Sequence, residues 1–285
     1  MTPTTEFVSY SDYKLHNRLV DEIDYQGLSF RKVAFSNAPT YSLVIPAYNE
    51  ENRIRPFLEQ LRDELSEGWE IIVVCDGNDK TAEIANSFDG RFDVYEYGSK
   101  LGKGGAILEG FRKAKGEVIG YVDADGSLDS NEIMKVFNSI ERESPVAIAS
   151  RWVKGSKIAV KQPLHRIILG RIYHYVTFAM LGIRQKDTQC GLKAYRRDVL
   201  NEIMQKLTLT NLSIDTAILY HCKLRSYRVI EIPVTWKDIG GSRFKPLRTA
   251  IVMLGTLVGL RLAHKVKTNN IRNKLTELYE LVSRI

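Results

Sequence analysis

The stretch "VDADGS" places Asp123 and Asp125 two residues apart, behind an apolar run and ahead of a glycine turn. Side chains two apart on an extended segment point to one side. Two carboxylates offered to one ligand are hard oxygen donors for magnesium or manganese, ions that keep waters and share substrate phosphates. The same residue types also favour solvated turns and helix caps. A second candidate is "GSKLGKGGAI", residues 98–107, rich in glycine and carrying Lys100 and Lys103. It is not a nucleoside-triphosphate P-loop: Gly98 and Gly102 are too close, and Gly104 stands where a hydroxyl is required. A loop that brings backbone and Lys103 to a diphosphate is still open to it. In "PAYNEE", Tyr48 suits stacking on a nucleobase, and Asn49 and Glu50 suit bonds to a base edge or ribose, or a cap for the next helix. Asp76 of "CDGN" is a partner for base or ribose, or part of a plain Asp-Gly turn.

These candidates need elements to hold them. The runs "YSLVIP", "EIIVVC", "DVYEYG" and "GEVIGYV" read as strands, the first stopped by Pro46. Between them, "ENRIRPFLEQLRDEL", "DKTAEIANSF" and "GGAILEGFRKAK" carry helical spacing, the last starting at Gly104 or Gly105. Alternating strands and helices predict an α/β fold, a mostly parallel sheet with helices on both faces. Ligands bind such sheets beyond the carboxyl ends of the strands, and all four candidate loops fall on that edge. Further along, "SPVAIASRW" and "VIEIPVTWKDI" read as strands. Residues 166–183 and 247–266 are apolar helical stretches with cationic flanks, suited to lying in a membrane surface or to completing a core or dimer interface. The expected organisation is an N-terminal extension over 1–40, partly helical around 11–24, a catalytic domain over 41–246, and C-terminal amphipathic helices over 247–285.

Composition sets outer bounds. The 285 residues are 44% hydrophobic and 26% charged, an ordinary globular balance. The net charge of +7 fits a phosphate-bearing partner or a solvated basic surface. Cys75, Cys190 and Cys222 are too few and too scattered for a disulfide framework or a zinc site. The N-terminal residues lack the apolar core of a signal peptide, and no run reaches roughly 18 apolar residues, so no transmembrane helix is expected.

Taken in order, "SLVIPAYNEE", "IIVVCDGNDKT", "LGKGGAILEGFRKAKGEVIGYVDADG", "ASRW", "DTQCGLKAYRR" and "VTWKDIGGSR" resemble the family 2 glycosyltransferases of the GT-A fold. Within that family they are most similar to the polyprenyl-phosphate sugar synthases, the dolichyl-phosphate glucose synthases in particular. The similarity spans about residues 41–246. It implies a sugar-nucleotide donor, UDP-glucose, a magnesium or manganese ion, and a dolichyl or polyprenyl monophosphate acceptor at the cytoplasmic face of a membrane, with no nucleic acid partner. By the family pattern Pro46, Ala47, Tyr48, Glu50, Asp76, Lys103, Asp123 and Ala124 would hold the nucleotide. Asp125 would take the metal, with Asp123 beside it. Arg151, Ser242, Arg243 and Lys245 would meet phosphate, and Asp187, Arg151 and Arg243 would serve the transfer.

The chain departs from that pattern at Cys75, where an Asp is usual, and at Ala217, where a Glu is common, and the N-terminal membrane anchor of the eukaryotic enzymes is not expected from these residues. The chemistry implied is one inverting displacement at the anomeric carbon. A phosphate monoester, with its second pKa near ~6, is already anionic at neutral pH and needs no strong base. The tasks left are to neutralise the leaving diphosphate and to hold two anions together. Three other readings are a GDP-mannose donor, transfer to a glycan hydroxyl, which would need a base such as Asp187, and nucleotide binding without catalysis. A homo-oligomer is compatible with the apolar helices.

Overall fold

The computed structural model describes residues 18–25, 28–35, 39–207, 213–240 and 246–265. The chain first forms an antiparallel hairpin, β1 (Arg18–Tyr25) and β2 (Leu28–Phe35). The helix expected around 11–24 is therefore a strand over its described part. Its register sets Val20 opposite Val33 and Ile23 opposite Phe30.

The strands β3 (Tyr41–Ala47), β4 (Trp69–Cys75), β5 (Asp93–Glu96) and β6 (Val118–Val122) run parallel. They alternate with the helices α1 (Ile54–Glu64), α2 (Thr81–Asn86) and α3 (Gly102–Lys113). Then follow α4 (Ser130–Phe137), β7 (Val146–Ser150), β8 (Lys157–Val160), α5 (Leu164–Leu181), β9 (Leu192–Arg196), α6 (Arg197–Met204), α7 (Ile214–Leu224), β10 (Val229–Pro233), β11 (Thr235–Lys237) and α8 (Pro246–Lys265). The main sheet has the order β10-β7-β9-β6-β3-β4-β5. Only β9 runs against the others, pairing antiparallel with both β6 and β7. Its N-terminal end therefore meets the carboxyl ends of β6 and β7 at one rim. Pro46 lies inside β3 rather than ending it. Its position opposite Val74 falls beyond Val44, where pairing with β6 stops, so the missing N–H interrupts no ladder there.

Alternation along the strands sorts the core into two layers. Val44, Ile72, Val74 and Tyr121 face α3, α5, α6, α7 and α8. Leu43, Ile45, Ile71 and Val73 face α1, α2 and α4. This two-sided burial explains why the strands read as continuous apolar runs. Helix α8 carries apolar residues all round: Met253 and Leu257 are buried, while Leu254, Val258 and Leu262 are exposed. Among the described residues, no helix is long and apolar enough to cross a membrane.

Helix α3, which carries the glycine-rich loop, lies close on β3. A Cβ at Gly110 would fall 2.2 Å from Cγ1 of Val44. Gly110→Ala is expected to destabilise the fold by about 1–3 kcal/mol, read as a lower denaturation midpoint. An unchanged midpoint would mean that α3 sits farther from the sheet.

Candidate functional site

Strand ends bring the candidate residues to one rim. Asp123 and Asp125 follow β6, and Arg151 follows β7. Asp187 precedes β9, and Asp76 follows β4. Each carboxylate then finds a different partner.

Asp76 is buried, and its Oδ2 accepts the backbone N–H groups of Leu101 and Gly102, both at 2.8 Å. These are first-turn donors of α3, where a negative group is favoured. The helix starts at Gly102, two residues before the expected start, and Gly102 itself takes φ +74°, a turn conformation suited to glycine. The carboxylate expected to meet base or ribose thus caps the helix of the glycine-rich loop.

Lys103 turns inward from that loop. Its Nζ lies 2.8 Å from Oδ1 of Asp123 and 3.5 Å from Oδ2 of Asp215. Burial alone would lower its pKa, but the two carboxylates outweigh this and hold it above the ordinary lysine value. Asp215 sits in the first turn of α7, and its Oδ1 accepts from Lys193 at 2.5 Å. Lys193 is fully buried within β9. It also donates to the Cys190 carbonyl at 2.8 Å and the Tyr121 hydroxyl at 3.2 Å, so its three N–H groups have three acceptors. Burial, aided by the Lys103 charge, pushes Lys193 down to about 7. Burial pushes Asp215 up to about 6 against the pull of Lys103.

Asp187 is buried beneath Arg151. Arg151 donates from Nε to Oδ2 at 2.7 Å, from Nη2 to Oδ1 at 2.9 Å, and from its backbone N–H to Oδ2 at 2.9 Å. Burial opposes the Asp187 charge, yet Arg151 holds the carboxyl below the usual range. Glu231 of β10 fixes the loop by accepting the backbone N–H groups of Lys186 and Asp187 at 2.9 and 3.1 Å. The guanidinium lies 5.3 Å from the centre of the Trp236 ring.

The first rim loop is held as firmly. Glu50 receives Nε and Nη2 of Arg53, each at 2.8 Å, and Nη1 of Arg53 donates to the Gly240 carbonyl at 2.7 Å. Asn49, at φ +56°, accepts the Asn78 backbone N–H at 2.8 Å. Tyr48 is 38% exposed, and the Lys100 ammonium stands 4.0 Å from its ring centre. Pro46 is half-buried, and Ala47 and Ala124 are buried in the lower core layer, so these two alanines offer a nucleotide only backbone. Ser242, Arg243 and Lys245 lie outside the described residues. The polar C-terminal residues beyond 265 do too.

Asp125, unlike Asp123, Asp187 and Asp215, makes no ion pair among the described residues. Its Oδ1 accepts the Ser127 N–H at 3.0 Å, the turn contact its sequence context allows. Burial raises its pKa, and the neighbouring Asp123 charge adds to the rise. A carboxylate disfavoured by burial and by a like charge is stabilised by a cation. The Asp123 carboxylate in turn packs against Gly191, where a Cβ would fall 2.0 Å from its Oδ2. Among the described residues no group of three or more His, Cys, Asp or Glu could hold a metal by itself. Two aspartates that share an ion with substrate phosphates fit a magnesium-type site. Burial pushes all three cysteines up to about 12, so Cys75 is a neutral thiol and does not replace a carboxylate.

The glycosyl transferase family 2 model matches residues 42–204, which hold β3 to β9 and every rim loop just described. The chain belongs to glycosyl transferase family 2. This family 2 transferase is 31% identical over 255 residues to a dolichyl-phosphate beta-glucosyltransferase of Trichomonas vaginalis, covering 81% of this chain and 77% of the relative. It is 29% identical over 249 residues to the Saccharomyces cerevisiae dolichyl-phosphate beta-glucosyltransferase, covering 78% and 74%. In fold it is similar to glucosyl-3-phosphoglycerate synthase from Mycobacterium tuberculosis solved with Mn2+, UDP and phosphoglyceric acid. That likeness has TM-score 0.58 at 16% identity and covers 81% and 80% of the two chains. The mostly parallel α/β sheet of the GT-A type is thus observed.

Sequence reading of this transferase passed over Lys193, Arg53 and Glu231. The available signal was a charge inside an apolar run, such as Lys193 in "GLKAY". The pair Asp187–Arg151 carries a pH prediction. The folded Asp187 pKa is depressed, so its stabilising charge is present above the ordinary carboxyl pKa of about 4 and is lost as pH falls through the folded value. Asp187→Asn should cost on the order of 3 kcal/mol near neutrality, and this gap should narrow on acidification below about pH 4. Chemical denaturation across pH measures it, and a gap that widens in acid would contradict the assignment.

Proposed function

We propose that this transferase moves glucose from UDP-glucose to dolichyl or polyprenyl monophosphate, with inversion, making a lipid-linked sugar donor for glycosylation. One observation carries the choice of acceptor: Asp187, the sequence candidate for a base, is buried and tied through both oxygens to Arg151. A hydroxyl acceptor would call for a base at the reacting centre. A phosphate is anionic already, and what it needs is a cationic seat. Arg151 supplies that seat, held in place by Asp187, which makes Asp187 a positioning residue. The names of the curated relatives support the same donor and acceptor class.

Asp123 and Asp125 would hold magnesium or manganese, which when bound stabilises charge on the leaving nucleoside diphosphate. Tyr48 offers its exposed ring to the base, and the Glu50–Arg53 pair braces the same loop. Asp76 keeps α3 and Lys103 in place. Ser242, Arg243 and Lys245 follow Gly240 in sequence, whose carbonyl Arg53 holds, and are assigned to phosphate. The acceptor phosphate oxygen attacks the anomeric carbon opposite the leaving diphosphate, forming one C–O bond as the other breaks.

The lipid is assigned to the surface of α5 and α8. Ile172, Tyr175 and Phe178 of α5 are half exposed or more, and Leu254 and Val258 of α8 are also exposed. Arg166 and Arg171 of α5 lie among them, the pattern of a surface that meets anionic headgroups. On this proposal the protein is bound peripherally to a membrane surface, at the cytoplasmic face that the family resemblance implies.

Purified protein with manganese or magnesium and dolichyl phosphate is expected to form an acid-labile glycolipid from UDP-glucose. Product from GDP-mannose instead would reassign the donor. Transfer to a soluble sugar with no lipid product would overturn the reading. Asp125→Ala should lower metal-dependent turnover by roughly 100-fold or more, and near-normal rates would remove the metal assignment. Phe178→Asp should reduce co-flotation with vesicles containing phosphatidylserine, and unchanged flotation would move the membrane face elsewhere.

A further inference from the structure

Lys103 occupies an oxygen that the proposed cation site also claims. Its ammonium stands 2.8 Å from Oδ1 of Asp123. A divalent ion and an ammonium on the same carboxylate repel each other, at a cost that grows as water is excluded. Binding of the ion therefore requires Lys103 to loosen its hold on Asp123. The structure supplies a second carboxylate within reach, Asp215, whose Oδ2 lies 3.5 Å from the same nitrogen.

Asp215 is itself shared. Its Oδ1 faces Lys193, whose ammonium is fully buried and saturated by Asp215, the Cys190 carbonyl and the Tyr121 hydroxyl. Tyr121 stands between the two lysines, with its ring centre 5.5 Å from Lys103 and 5.6 Å from Lys193. Lys193 thus takes the nearer share of the Asp215 charge and leaves Lys103 the longer contact.

We propose that Lys103 is the resident counter-ion of the Asp123–Asp125 site, and that Lys193, acting through Asp215, is the positioning residue that sets how firmly Lys103 sits on Asp123. This rests on the cation reading of Asp123 and Asp125. Without Lys193, Asp215 is a buried carboxylate with one ammonium in reach, and it draws Lys103 away from Asp123. Without the Asp215 charge, Lys103 has Asp123 alone. Two substitutions within one buried pair therefore act in opposite directions on one oxygen. A through-space effect of the two charges alone would shift the affinity of that oxygen for a cation by the same factor with and without the Lys103 ammonium.

The test is Mn2+ titration of the full chain, followed by electron paramagnetic resonance, with and without UDP. Lys193→Met should tighten Mn2+ binding about fivefold and Asp215→Asn should weaken it about fivefold. Lys103→Met should tighten it, and in that background Asp215→Asn should change it less than twofold. Should Lys193→Met not fold, as judged by circular dichroism, the Asp215→Asn and Lys103→Met single and double variants decide the matter. Shifts in the same direction, or none, while Asp125→Ala abolishes Mn2+ binding, would overturn this proposal and leave the metal site standing. A wild-type protein that binds no Mn2+ in either condition would remove both.

Discussion

A parallel sheet delivers its strand-end carboxylates to a single rim, and charges of one sign gathered there must each be answered from another element. That constraint organises the rest of the molecule. Asp76 is answered by the N-terminus of α3, Asp187 by Arg151, Asp215 by Lys193 and Lys103, and Asp123 by Lys103. Every answering group comes from an element distant in sequence, so these contacts also fasten the rim loops together. Asp125 stands apart, with a turn N–H on its Oδ1 and a pKa raised by burial and by Asp123. Asp125 has a backbone donor but no ion pair among the described residues, and that leaves room for a cation beside it.

The same bookkeeping bears on the choice of acceptor. A buried acid that is fully paired cannot take a proton from an incoming hydroxyl without breaking its pair, at several kcal/mol. Asp187 is such an acid. What it does instead is hold the guanidinium of Arg151 in one orientation, with Trp236 beside it and Glu231 fixing the loop behind. An oriented, desolvated guanidinium suits a phosphate that arrives already charged.

Much of this was legible in the sequence because the signal was local. Apolar runs ending in Pro, Asp or Gly marked β3, β4 and β6, and the rim motifs sit at their ends. The elements around them needed contacts that no window shows. Strand β9 runs against its neighbours and carries a buried lysine, so "GLKAYR" has the look of a surface segment until the sheet closes over it. The partners of Asp187 and Asp215 lie 36 and 22 residues away. Spacing within a motif cannot tell a carboxylate aimed at substrate from one already paired. Asp76 shows the same limit: an Asp-Gly turn and a helix cap look alike before the helix it caps has been placed.

The glycine-rich loop gains a different meaning from this arrangement. A helix N-terminus preceded by glycines is ordinarily a seat for phosphate. Here Asp76 already occupies the first-turn N–H groups of α3, at 2.8 Å to both Leu101 and Gly102. A diphosphate brought to the same place would meet a buried carboxylate. One charge the loop can offer an anionic ligand is that of Lys103, whose side chain is 18% exposed. Gly102 at φ +74° turns the chain so that this lysine points inward to Asp123. The glycines shape the turn, the helix dipole secures Asp76, and the ammonium is the group that exchanges partners.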